Sequence, residues 1–355
     1  MGFESVREMF ENNLAGGDEV GAAFCAIVDG ETVVDLHGGH ADPGRTRPWD
    51  RDTIVNVYSA TKTISALTAL LVVDSFEDPV ARYWPEFAAN GKQDITLAQV
   101  MSHSSGMSGW RAPLVTEDLY DWEKCTSLLA AQEPLWEPGT AIGYHAVTQG
   151  YLIGEVIRRI TGESLGTVFR TRIAEPHGID FHIGLPATED ARVAELIPPA
   201  NPPFQGVPLT EIQDITANNP PMPPSITATR AWRAAEIPAG NGHGNARSLA
   251  QALAILADGG RDLISREAVR RAATQHSAGT DLMLGIPLRW GLGFALGSDF
   301  LPPNTLFWGG LGGAFVAVDL DRHAAFAYVM NNMGGDVGDM RGLLLSLATW
   351  KALDS

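Results

Sequence analysis

The strand-forming segments of this chain lie near its two ends, and most of what separates them reads as helix. Near the start, the run Gly21–Val28 and a second over 31–36 flank Asp29-Gly30. That dipeptide tolerates the positive φ angles of a two-residue hairpin. Near the other end, segments 314–319 and 324–331 flank the turn Leu320-Asp321-Arg322-His323, and an amphipathic helix is expected over about 339–351. A first helix is expected over 3–14, and helical periodicity recurs near 94–102, 115–131, 146–161 and 164–174. A sheet fed from both termini has to close around whatever is inserted between them. The expected fold is therefore α/β: an antiparallel sheet flanked by helices, built from 1–78 and 237–355, with an inserted all-helical domain over 79–236.

Within the insertion, 198–224 holds nine of the chain's 22 prolines. Proline fixes φ and lacks a backbone donor, so no regular structure is expected there. The stretch is either a surface connection or a wall over a pocket. The net charge of −17 leaves no surplus of Lys and Arg to meet a phosphate backbone or an anionic membrane, so neither is expected as a partner. Cys25 and Cys125 are the only cysteines, too few for a disulfide framework or a cysteine-rich metal site. The first residues show no basic segment followed by an apolar one, and the longest apolar stretch, 66–73, is far shorter than the roughly 20 residues of a membrane span. A cytoplasmic location is expected.

The chemistry concentrates at Asn56-Val57-Tyr58-Ser59-Ala60-Thr61-Lys62, which opens an almost wholly apolar helix over 63–73. Residues three apart share a helix face, so the Lys62 amine can reach the Ser59 hydroxyl. Burial and the positive end of the helix dipole both disfavour an ammonium ion, leaving Lys62 free to act as a base toward a serine nucleophile. The chain has four lysines, Lys62, Lys92, Lys124 and Lys351, and only Lys62 has a serine three residues before it.

Rival signals are weaker. Gly162-Glu163-Ser164-Leu165-Gly166 matches the Gly-x-Ser-x-Gly elbow, but that motif works at a strand-to-helix turn, and here a helical pattern precedes it. Gly162 reads as a helix stop and Ser164 as a helix start. The histidines form no His-Glu-x-x-His pair, and His37 and His40 flank two glycines at a strand end, so no metal is expected. The run Gly309-Gly310-Leu311-Gly312-Gly313 lacks the Lys-Ser/Thr of a phosphate loop.

Ser59-x-x-Lys62, a downstream tyrosine and a glycine-rich strand motif together resemble the penicillin-recognising serine hydrolases: class C β-lactamases, DD-peptidases and family VIII carboxylesterases. Asp78-Pro-Val-Ala-Arg-Tyr-Trp-Pro-Glu-Phe87, Met101-Ser-His103-Ser-Ser-Gly106-Met107 and Trp136-Glu-Pro-Gly139 before Tyr144 extend the resemblance over nearly the whole chain. It implies a β-lactamase-like fold, with Ser59, Lys62 and Tyr144 catalytic and the backbone N–H groups of Ser59 and Leu311 as the oxyanion hole. Trp308, Gly309, Gly310, Tyr58 and His145 would line the substrate pocket. No cofactor is implied.

The sequence departs from the β-lactamase pattern at two points. Ala146 stands where those enzymes hold a β-lactam side chain with an asparagine, and Trp308 stands where they carry a cation for its carboxylate. Both changes favour the esterase branch and a small neutral ester as substrate. An amidase or peptidase, a weak β-lactamase and an acyltransferase share the same chemistry, and a non-catalytic ligand-binding homologue is the alternative from another class.

Overall fold

The computed structural model describes residues 2–200, 206–298, 300–335 and 339–355. Eleven strands run through them: β1 (Gly21–Val28), β2 (Glu31–Gly39), β3 (Val55–Asn56), β4 (Phe181–His182), β5 (His243–Gly244), β6 (Ser277–Thr280), β7 (Pro287–Trp290), β8 (Ala295–Leu296), β9 (Thr305–Gly309), β10 (Phe315–Asp319) and β11 (Ala324–Met330). Eight form one sheet in the order β2-β1-β11-β10-β9-β8-β7-β6, each neighbouring pair antiparallel. The two hairpins legible in the sequence meet where β1 pairs with β11, from Ala22↔Met330 to Val28↔Ala324.

Every residue of β10 and β11 is buried, because helices cover both faces of the sheet. Phe326 meets Trp350 edge-on, and Tyr328 faces Gly342, where a Cβ would have no room beside Phe315. Both partners lie on the terminal helix Arg341–Leu353, which also packs on the first helix, Glu4–Gly16. Ala325, Ala327 and Val329 alternate to the other face, where helix Ala246–Ala257 lies. Helix Thr61–Val72 packs against that helix and against Thr148–Thr161, with every residue from Thr61 to Leu70 buried. Each fully buried Ile or Leu there contributes roughly 1.5–3 kcal/mol.

Among the described residues of the intervening segment β4 is the only strand, and it joins β3 and β5 in a small second sheet. The pattern at 115–131 divides at Asp121, whose carboxylate caps helix Trp122–Ala131 after a 3₁₀ turn over Thr116–Tyr120. The proline-rich stretch corrects the expectation of no regular structure. Residues 209–219 lie between Pro208 and Pro220, and Thr210 with Gln213 forms a capping box that starts helix Glu211–Asn218. Its Ile215 lies against Gly109, and the Thr216 hydroxyl is 2.9 Å from that of Ser108. Residues 201–205 of the same stretch lie outside the described residues. No helix among the described residues is long and apolar enough to cross a membrane.

Candidate active site

Ser59 occupies a 3₁₀ turn, Tyr58–Ala60, between β3 and helix Thr61–Val72. Tyr58 has φ 43°, a left-handed conformation that is rare for a bulky residue and costs on the order of 1–3 kcal/mol. The surrounding contacts hold it there. Val57 N–H donates to Gly242 O at 2.9 Å, and the Thr61 hydroxyl donates to Tyr58 O while accepting from Gly242 N–H. The Asn56 amide donates to Gly240 O and Gly242 O, so the short β3–β5 pair fastens the segment 239–242 beside the turn.

This arrangement completes the surroundings of Lys62, which is 1% exposed. Its Nζ lies 2.6 Å from Ala146 O, 2.9 Å from Ala239 O and 3.2 Å from Ser59 Oγ. Burial pushes its pKa well below the ordinary lysine value. A neutral amine has two N–H groups, which the carbonyls take, and one lone pair, which then faces the Ser59 hydroxyl. Ala239 carries no sequence signal, since it serves through its backbone alone.

Tyr144 stacks almost parallel to Trp290, and its ring centroid lies 4.7 Å from the Lys62 amine. Burial raises the phenol's pKa, and the Ser59 hydroxyl and Trp308 indole oppose that rise. The Trp308 Nε1–H donates to the Tyr144 oxygen at 2.9 Å, so the phenol keeps its own proton free to give away. Trp308 is half-buried near the end of β9. Ile142, Met283 and Trp290 surround Tyr144 with apolar surface, and Leu284 and Ala217 of the proline-flanked helix pack against that cluster.

The end of β9 approaches the Ser59 turn so closely that a Cβ on Gly310 would lie 2.1 Å from Val57 O. Gly309 pairs with Phe315, and Gly310 N–H donates to Ala314 O. Leu311 follows, a residue 42% exposed, and its N–H has no protein acceptor among the described residues. Tyr58 is half-buried beside Ser59. His145, expected to line the pocket, is fully buried, its Nε2 2.6 Å from the Ser105 hydroxyl and its Nδ1 2.7 Å from Gly143 O.

Ser164 is placed as the sequence reading has it. Gly162, at φ 78°, ends helix Thr148–Thr161, and the Ser164 hydroxyl caps helix Leu165–Phe169 while donating to Glu236 at 2.6 Å. Ser164 stands between two helices rather than at a strand-to-helix elbow, and the Glu236 carboxylate that accepts from it also accepts from Gly166 N–H, which fixes it as part of the helix cap. Sequence reasoning gave no role to His103, Asp281 or Trp290, which all touch Tyr144 or its backbone.

The Beta-lactamase family model matches residues 6–349. The chain is 33% identical to the esterase/β-lactamase LipL of Mycobacterium tuberculosis, over 93% of this chain and 81% of that protein. The crystal structure of a family VIII carboxylesterase superposes with a TM-score of 0.93 at 41% identity, covering 98% of this chain and 97% of the other. A penicillin-binding protein homologue from Caulobacter crescentus gives a TM-score of 0.93 at 38% identity, covering 99% and 97%. Matched nearly end to end in sequence and in fold, the chain belongs to the β-lactamase family and is a serine hydrolase of that fold.

Proposed function

We propose that the protein is a serine carboxylesterase that hydrolyses short-chain neutral esters through an acyl-Ser59 intermediate. The observation that carries this reading is the buried Lys62 amine, held by two backbone carbonyls with Ser59 Oγ 3.2 Å away. Ser59 attacks the ester carbonyl as its proton passes to Lys62. The oxyanion accepts hydrogen bonds from the Ser59 and Leu311 amides. Collapse breaks the bond to the alcohol, whose oxygen takes a proton from Tyr144, and Tyr144 is reprotonated from Lys62. A water molecule then attacks the acyl carbonyl by the same route and restores Ser59. The proposed partition into 1–78 with 237–355 and 79–236 puts Ser59 and Lys62 on one part and Tyr144 on the other.

Substrate choice follows from Trp308 and Ala146. The indole offers one donor, already used by Tyr144, and Ala146 contributes its carbonyl to Lys62. Neither provides the charge or the amide that a β-lactam's carboxylate and side chain call for. Losing a hydrogen bond to a charged group costs about 1.5–3 kcal/mol, while a neutral ester requires no such contact. The name of the mycobacterial relative joins esterase to β-lactamase, so the two activities are the ones to compare. The expected result is ready hydrolysis of p-nitrophenyl acetate or butyrate, with kcat/KM for cephalosporins lower by several powers of ten. A cephalosporin cleaved as efficiently as the best ester would refute this assignment of substrate.

A further inference from the structure

Three consecutive backbone amides, those of Gly143, Tyr144 and His145, are held by two buried residues from elsewhere in the chain. Gly143 N–H donates to the carbonyl of His103 at 2.9 Å, and His145 N–H donates to Nδ1 of the same residue at 3.0 Å. Between them, Tyr144 N–H donates to Asp281 Oδ1 at 3.1 Å. His103 is 0% exposed and Asp281 1% exposed, so water does not compete for these bonds.

The details of His103 fit this task. Its φ of 59° is left-handed, which lets one residue present both its carbonyl and its imidazole to the same strand of chain. Its Nδ1 accepts, so its proton sits on Nε2. The ring also packs edge-on against the Tyr144 ring, with centroids 4.9 Å apart, and against Trp290 at 4.2 Å. Asp281 uses Oδ1 three times, accepting from the N–H groups of Tyr144, Met283 and Leu284, and so ties the Tyr144 segment to the β6–β7 loop.

We infer that His103, with Asp281, is the positioning residue for Tyr144: it fixes the phenol's height and tilt against Ser59 without touching substrate. The inference rests on the proposed role of Tyr144. It also gives a task to the Met101–Met107 segment, where His103 had only a family resemblance to recommend it.

An asparagine at 103 places an amide oxygen where Nδ1 stands, whereas a glutamine carries its acceptor one bond further out. His103→Asn and His103→Gln are therefore compared with p-nitrophenyl butyrate, alone and combined with Tyr144→Phe. A displacement of about 1 Å at a reacting group costs on the order of 10²-fold. His103→Gln should lower kcat by about that factor with KM changed less than about threefold, and His103→Asn should stay within about fivefold of the unmodified enzyme. In the Tyr144→Phe background the glutamine should cost less than about twofold, because the group being positioned is already gone.

Equal losses for Asn and Gln, or the same Gln loss in both backgrounds, overturn the inference. Should the Gln variant fail to fold, Asp281→Ala replaces it in the same cycle, with Asp281→Asn as the version that keeps Oδ1. Undiminished coupling to Tyr144→Phe then supports the inference, and equal losses in both backgrounds refute it. Near-normal turnover in Tyr144→Phe alone is a different result: it removes Tyr144 from the chemistry and leaves nothing to position.

Discussion

Replacing Gly310 with alanine tests whether the β9 end and the Ser59 turn form one rigid unit. The added Cβ would lie 2.1 Å from Val57 O, 3.1 Å from Val57 C and 3.2 Å from the Ala314 Cβ. Carbon and oxygen approach to about 3.3–3.6 Å, so the two backbones must part by about 1.2–1.5 Å. Neither can yield freely: Gly310 N–H is bonded to Ala314 O at 2.7 Å, and Val57 N–H to Gly242 O at 2.9 Å. The displacement falls on Leu311, the next residue, whose amide is the proposed second oxyanion donor. Removing one such donor costs about 10²–10³-fold in kcat, or roughly 2.7–4 kcal/mol, and overpacking of this kind destabilises by about 1–3 kcal/mol. Gly309→Ala is the control, since its Cβ would meet nothing closer than Ala314 O at 3.1 Å, which needs a shift of a few tenths of an ångström. The assay is kcat with p-nitrophenyl butyrate beside a urea unfolding curve. A Gly310→Ala enzyme of unchanged stability with kcat within about threefold of the Gly309→Ala enzyme would refute the reasoning.

Two further predictions concern ionisation and the rival serine. Because burial lowers the pKa of Lys62, activity should disappear as pH falls through that lowered value. It should stay level above it until Tyr144, whose pKa burial raises, begins to ionise; a pH profile of kcat/KM measures both limbs. Between the lowered value and 10.5 the unfolded chain binds a proton that the folded one does not, so Lys62 makes stability rise with pH. Urea curves should lose that contribution in Lys62→Met. Ser164→Ala should leave kcat within about twofold and lower stability by about 1 kcal/mol through loss of the helix cap; a large loss of turnover would contradict the assignment of Ser164 to structure.

What the sequence made legible was local. Ser59 and Lys62 lie one helical turn apart, so their meeting follows from helix geometry, and the hairpin at Asp29-Gly30 and the last two strands follow from alternation and turn residues. The strands β6 to β8 left no such trace: Ser277–Thr280 holds a glycine and exposed positions, and Ala295–Leu296 is two residues long. Helix Glu211–Asn218 was hidden by the prolines around it, although its capping box stands in the sequence at Thr210 and Gln213. Tyr144 came from resemblance alone, because nothing in its neighbours announces that it faces Ser59. Asp281 reaches its amide from 137 residues away, and His103 reaches the amides on either side of it, that of His145 from 42 residues away, a pairing that only the completed fold produces.

The central claim is that Ser59 is the nucleophile. A fluorophosphonate probe forms a covalent bond to an activated serine oxygen with loss of fluoride, and peptide mass spectrometry locates the adduct. The account predicts a single adduct on the peptide bearing Ser59, absent in Ser59→Ala and slowed in Lys62→Ala. An adduct on Ser164, or undiminished ester hydrolysis by Ser59→Ala, would contradict it.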